Sequence, residues 1–156
     1  MAISPNVDFT SGQVLTAAQQ NQFPRGIVAQ VSETANGTAL PTEQVTLTAS
    51  TFTAVANRYY RITYFEPIAQ NPGGAGSSIT ARIRITNAAG TQLGQGQLQA
   101  SGATQSANSL NVVTLATFSA GSVVIVGTIQ VSAGASNLYR GSGAAARIIV
   151  EDIGPA

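Results

Sequence analysis

Ser78-Ile79-Thr80-Ala81-Arg82-Ile83-Arg84-Ile85-Thr86 places Ile79, Ala81, Ile83 and Ile85 on one side of an extended chain and Thr80, Arg82, Arg84 and Thr86 on the other. Successive strand side chains point to opposite faces, so this two-residue period predicts an antiparallel strand with one face in a core and the other toward water. Upstream, Arg58-Tyr59-Tyr60-Arg61-Ile62-Thr63-Tyr64-Phe65 repeats the period with a difference. Tyr60, Ile62 and Tyr64 share one face, but Tyr59 and Phe65 stand on the other beside Arg61 and Thr63. Aromatic groups on both faces predict a strand in the middle of its sheet.

Working outward from these two, residues 27–32, 44–48, 51–56, 91–100, 110–118, 123–132 and 145–152 read as further strands. Pro72-Gly73-Gly74-Ala75-Gly76-Ser77 and Ala133-Gly134-Ala135-Ser136-Asn137 read as turns, as does Asn36-Gly37, whose Asn36-Gly37-Thr38 also matches an N-glycosylation acceptor. Eight or nine short strands with such punctuation predict an all-β fold, a single antiparallel β-sandwich or jelly roll over residues 27–156. The wholly apolar Val123-Val124-Ile125-Val126 is the expected centre of its core.

Residues 1–26 follow a different grammar. Asp8-Phe9-Thr10-Ser11-Gly12-Gln13-Val14-Leu15 has no period and contains Gly12, so it is expected to be extended. Thr16-Ala17-Ala18-Gln19 fits a capping box, opening a helix of about two turns to Gln22 that Pro24 stops. So short a helix is marginal in water by itself. Its large apolar neighbours Phe9, Val14, Leu15 and Phe23 therefore predict docking, on another molecule or on the body's own sheet.

In Gln92-Leu93-Gly94-Gln95-Gly96-Gln97-Leu98-Gln99, glycine weakens a strand and each buried Gln needs a partner. Either this is an edge strand kept soluble without charge, or its glycines allow close packing against identical chains around a symmetry axis. Only 8% of the 156 residues are charged, against roughly 25% in ordinary soluble domains. Much of the surface must be uncharged, and a homotrimer is the expected state.

Composition also limits the chemistry. Seven Arg against six acids gives a net charge of +1, no footprint for nucleic acid or an anionic membrane. No apolar run is long enough for a membrane span and no secretory signal is evident, so synthesis in a bacterial cytoplasm without membrane insertion is expected. With neither His nor Cys, Ser-His-Asp and Cys-His machinery is impossible and thiolate metal sites are absent. Glu151 and Asp152 are neighbours but would point to opposite faces of a strand, and nothing brings Glu66 beside Glu151 as a glycosidase pair. No enzyme, cofactor or metal site is expected. Gly141-Ser142-Gly143-Ala144-Ala145-Ala146 matches a dinucleotide fingerprint in form, but Arg147-Ile148-Ile149-Val150 follows as strand rather than helix, which removes the motif's physical basis. Tyr59, Tyr60, Tyr64 and Tyr139, with Arg58 and Arg61, could stack on a sugar; the alternative is core aromatics with arginines at the sheet rim.

The opening Asp8-Phe9-Thr10-Ser11-Gly12-Gln13-Val14-Leu15-Thr16-Ala17-Ala18-Gln19-Gln20-Asn21 resembles the start of small structural proteins of actinobacterial tailed phages, commonly labelled minor tail proteins. Phe52-Thr53-Ala54-Val55-Ala56-Asn57-Arg58-Tyr59-Tyr60-Arg61-Ile62-Thr63-Tyr64 and the ending Ile149-Val150-Glu151-Asp152-Ile153-Gly154-Pro155-Ala156 are similar to the rest of that family. The resemblance implies a non-enzymatic virion component, a minor tail or capsid decoration protein, bound to other capsid or tail proteins. Virion anchoring would then fall to Phe9, Val14, Leu15 and Phe23 in the 1–26 arm. The other function class consistent with the residues is a carbohydrate-binding adhesin module recognising the host surface through the tyrosines.

Overall fold

A computed structural model describes residues 11–12, 14–74, 76–100 and 106–156. Phe9, one of the expected anchoring residues, lies outside them. After helix α1 (Ala17–Gln20) come strands β1 (Gly26–Glu33), β2 (Gly37–Ala39), β3 (Gln44–Thr48), β4 (Phe52–Ala54), β5 (Arg58–Gln70) and β6 (Ser78–Ile85). They continue as β7 (Gln92–Gln99), β8 (Ala107–Ala116), β9 (Gly121–Val123), β10 (Ile125–Val131), β11 (Ser136–Tyr139) and β12 (Ala146–Pro155).

The alternation in β5 and β6 builds two antiparallel sheets. The first has the order β1-β12-β5-β11-β2, with β8 paired to the opposite edge of β5; the second has the order β3-β10-β6-β7. A two-stranded ribbon, β4 with β9, accompanies them. β5 is central as its two-faced aromatic pattern predicts, holding β12 on one side and β8 on the other.

The sheets meet through their inner faces. Tyr60, Ile62 and Tyr64 of β5, Ile148 and Val150 of β12, and Val112 of β8 pack in one core with Ile79, Ala81 and Ile83 of β6 and Ile125, Ile129 and Val131 of β10. All of these are buried. The result is an antiparallel β-sandwich of jelly-roll character with its core between the two large sheets. An aromatic cluster completes the β4 end, with the Tyr60 ring centroid 5.4 Å from both Phe52 and Phe118.

Glycine is needed where the layers approach most closely. A Cβ on Gly127 would lie 3.0 Å from the Tyr64 ring, and Cβ atoms on Gly94 and Gly96 would lie 3.1 Å from Thr114 and Val112 of β8. β7 is thus an edge strand with Gln95, Gln97 and Gln99 turned to solvent. Its glycines are used for close packing inside one chain, so they no longer argue for packing between chains.

Four expectations are corrected. Asn36-Gly37 and Ala133–Asn137 read as turns, but Gly37–Ala39 and Ser136–Tyr139 are short strands that pair with each other. The run 123–132 is broken at Val124 into β9 and β10, and its half-buried start, Val123 and Val124, is not central core. Helix α1 has one turn rather than two, because Asn21 already serves as its C-cap. Arg58 is not at a sheet rim; it is buried.

Candidate functional site: the arm junction and the outer sheet faces

The arm joins the body through a buried ion pair. The capping box forms as predicted: the Thr16 hydroxyl accepts from the Gln19 amide at 3.2 Å, and the Gln19 Oε1 accepts from the Thr16 amide at 2.9 Å. Beyond this single turn the chain passes the guanidinium of Arg58. Arg58 donates from Nε and Nη2 to the Asp152 carboxylate at 2.6 and 2.7 Å. Its remaining N–H groups reach backward into the arm, Nη1 to the Asn21 carbonyl and Nη2 to the Phe23 carbonyl at 2.6 Å. Asp152 also accepts from the Gly154 amide at 3.0 Å, while its backbone carbonyl accepts from the Arg25 amide at 3.2 Å. Such multiple satisfaction offsets the desolvation of two buried charges.

The arm therefore has its root packed on its own body while large side chains project. Val14, Leu15 and Phe23 are all exposed, Val14 at 83%. The backbone of the arm's root is thus held on the body, while Val14, Leu15 and Phe23 keep exposed surface.

The four tyrosines do not form a patch. Tyr60 and Tyr64 are each 1% exposed, core residues on the inner face of β5, which removes them as recognition residues. Tyr64 shares a 2.8 Å hydrogen bond with Thr46 Oγ1 and donates to Glu66 Oε2 at 3.2 Å. Burial first, and the Glu66 carboxylate next, push its phenol well above the ordinary value, so it remains a neutral hydrogen-bonding group. Tyr59 is half-buried on the outer face and lines an open hollow of about 530 Å³ with Asn57, Phe118 and Ser119. Tyr139 pairs with Ile68, nine residues along β5, so roughly 30 Å of strand separates the two accessible rings.

The carboxylates are structural in their contacts. Glu66 is buried and held by Arg140 through two 2.7 Å hydrogen bonds, whereas Glu151 lies on the outer face against Arg61 at 2.8 Å. The two acids are not brought together. Among the described residues no group of three or more Asp or Glu is placed to hold a metal ion, and no helix is long and apolar enough to cross a membrane.

The outer faces of the two sheets differ sharply. On the β3-β10-β6-β7 sheet, register aligns Thr80, Arg82 and Arg84 with Gln130, Thr128 and Val126 on one side and with Gln97, Gln95 and Gln92 on the other. Glu43 covers this row, accepting from Arg84 Nε and Nη2 at 2.6 and 2.9 Å and from the Thr128 hydroxyl. Partial burial pushes the Glu43 carboxyl up, but the Arg84 and Thr128 hydrogen bonds and the neighbouring charges outweigh it and hold it below its ordinary 4.5.

On the first sheet, register gives three outer rows: Ile27-Glu151-Arg61-Leu115, then Gln30-Ile149-Thr63-Val113, then Ser32-Arg147-Phe65-Asn111. Ile27, Val113 and Leu115 are 57, 55 and 59% exposed. Sequence reading did not single these residues out. The available signal was that the 110–118 run is apolar on both faces, which a strand buried on both sides would show equally.

No family model matches the chain, and no curated protein matches it. Among solved structures, the Eiger TNF of S. frugiperda superposes with a TM-score of 0.54 at 10% identity, over 85% of this chain and 96% of that one. That likeness shows the shared β fold. The carbohydrate-binding module of Cellvibrio mixtus lichenase 5A, solved with cellotriose, gives a TM-score of 0.35 at 19% identity over 86% of this chain and 93% of its own. The infectious bursal disease virus VP2 subviral particle gives 0.30 at 9% identity over 84% of this chain and 39% of that one. The structural neighbours thus include binding modules and virus-particle domains, all at low identity.

Proposed function

We propose that this chain is a non-enzymatic structural component of a tailed bacteriophage particle, a minor tail or capsid decoration protein made in the host cytoplasm. Residues 1–26 attach it to capsid or tail proteins, and the β body projects as a homotrimer. The observation that carries the reading is the arm junction: Arg58 and Asp152 fix the arm's root to the body by backbone carbonyls while Val14, Leu15 and Phe23 point outward. A root held this way positions an apolar attachment edge without using that edge for the protein's own core. The resemblance of the opening, middle and final segments to actinobacterial phage structural proteins supports the same reading.

Deleting residues 1–22 tests it. The expected product is a soluble, folded body that keeps a β-type far-ultraviolet circular dichroism spectrum and no longer sediments with particles. Full occupancy of the truncated chain on particles would end the anchoring proposal. A second reading, a carbohydrate-binding module facing the host, rests on the hollow beside Tyr59. Glycan-array binding that disappears in Tyr59→Ala would favour it over the structural role.

A further inference from the structure

We infer that the hollow beside Tyr59 is a site for a single uncharged sugar ring and that it discriminates against acidic sugars. This rests on the carbohydrate-binding reading above and adds to it a ligand class and a set of contacts. Strand alternation sets the hollow apart from the arm. Arg58, on the inward side of β5, turns to Asp152 and the arm carbonyls, whereas Tyr59 stands on the outward side. Its register partner on β12 is Gly154, so that strand places no side chain beside it at this position.

The lining divides into two kinds of group. Tyr59 and Phe118 supply aromatic surface, and Phe118 is fixed by the buried cluster, its ring centroid 5.4 Å from Tyr60 and 6.1 Å from Phe52. Asn57, Thr117 and Ser119 supply an amide and two hydroxyls. None of these three side chains has a hydrogen-bond partner among the described residues, whereas the polar groups around Glu43 on the other sheet are bonded to one another. Their donors and acceptors are open to a ligand. Asn57 sits there on a left-handed backbone with φ of 59°, a conformation that Asn tolerates better than most side chains, and its carbonyl accepts from the Ala156 amide at 2.9 Å.

These groups select the chemistry. A sugar ring carries C–H surface that packs on an aromatic side chain and hydroxyls that need amide or hydroxyl partners, and the hollow offers both. A wholly apolar ligand would cover the three polar side chains and leave them unsatisfied. An extended peptide draws its affinity from a free strand edge, but β5 is paired on both sides, with β12 and β8. No cationic side chain lines the hollow, and the next outward residue along β5, Arg61, is bound to Glu151 at 2.8 Å. The carboxylate of an acidic sugar would therefore lose water without gaining a counter-charge. The space of about 530 Å³ falls within the ordinary size of small-molecule sites. The next outward aromatic on β5, Phe65, is six residues on, about 20 Å along the strand, so one ring is the unit that this platform holds.

The test uses the full chain and saturation-transfer NMR with free glucose, galactose and rhamnose as neutral probes and glucuronic and galacturonic acids as acidic ones. Transfer to at least one neutral sugar is expected, with the acids binding more weakly. Tyr59→Ala should weaken binding by about tenfold or more. Asn57→Gly, which keeps the left-handed backbone and so does not depend on a new fold, should weaken it by about threefold or more. Tyr139→Ala, far along the sheet, should leave it unchanged. Transfer that persists undiminished in both Tyr59→Ala and Asn57→Gly overturns the hollow as the site while the carbohydrate-binding reading stands. A uronic acid that binds more tightly than every neutral sugar overturns the ligand class. Glycan-array binding that needs Tyr59, with no transfer to any free sugar, keeps the hollow and overturns the single ring. No transfer together with no array binding removes both this inference and the reading on which it rests.

Discussion

The two outer faces of this sandwich solve the same problem with different chemistry. Both belong to a chain with few charges, and both must lie on the outside of one core. The β3-β10-β6-β7 face does so mainly with amides, hydroxyls and two arginines around Glu43, with Val45 as its exposed aliphatic side chain. The β1-β12-β5-β8 face leaves Ile27, Val113 and Leu115 exposed with one ion pair among them. The contrast teaches that low overall charge is not spread evenly. One outer face carries a hydrogen-bonded ion network, and the other carries three aliphatic side chains that are more than half exposed.

The most damaging way to break the comparison is to unfasten the aliphatic-faced sheet where β5, β12 and the arm meet. Asp152→Ala would leave the Arg58 guanidinium buried beside two carbonyls and no counter-charge, and the expected loss is about 3–5 kcal/mol in urea unfolding. Arg58→Met with Asp152→Leu should recover much of that loss, because replacing both charges leaves neither unpaired. A single change that unfolds no more easily than the unmodified chain would show that the pair is not holding the junction.

A smaller effect is expected from forcing the two faces apart. Gly127→Ala drives a methyl into the Tyr64 ring from 3.0 Å, and a rigid aromatic has little room to yield; destabilisation of about 1–3 kcal/mol is expected, measured in the same denaturant series. Gly134→Ala, at an exposed turn with φ of 64° and open space around it, would lose stability only through its backbone, which separates packing from local conformation. Equal losses at the two positions would count against the close inter-sheet contact.

The mildest prediction sharpens the polar face alone. The folded Glu43 carboxyl titrates below its ordinary 4.5, so its contribution to stability is fully present above that value and is lost as pH falls through the lower folded value. Glu43→Gln should therefore cost stability at pH 7, within about 1 kcal/mol for a pair that still touches solvent. The difference from the unmodified chain should shrink on acidification below the ordinary carboxylate range. A difference that stays constant from neutral to acid pH would mean that the charge of Glu43 contributes nothing.

Legibility in the sequence followed the length of the signal. β5 and β6 could be placed from their two-residue period because eight or more residues repeat it. β2 and β11 are three and four residues of small or polar type, too short to show a period, and they exist because each supplies the other's hydrogen bonds. Tyr60 and Tyr64 shared a face with Ile62 in the sequence, but period alone does not say which face turns inward when both carry aromatics. The candidate site was less accessible still. The bond that fixes the arm joins Arg58 to Asp152 across 94 residues, a pairing set by the β5–β12 register and by no local motif. Val113 and Leu115 were hidden for the opposite reason, since their apolar run looks the same whether its second side meets a core or solvent.

Arg58 grips the arm through the carbonyl oxygens of Asn21 and Phe23, atoms that every amino acid carries. The two Arg58 contacts by themselves therefore place no demand on which side chains stand at 21 and 23. A mounting made of backbone atoms can stay constant while arm side chains outside it change, so that the position of the arm and its surface chemistry are open to separate inheritance.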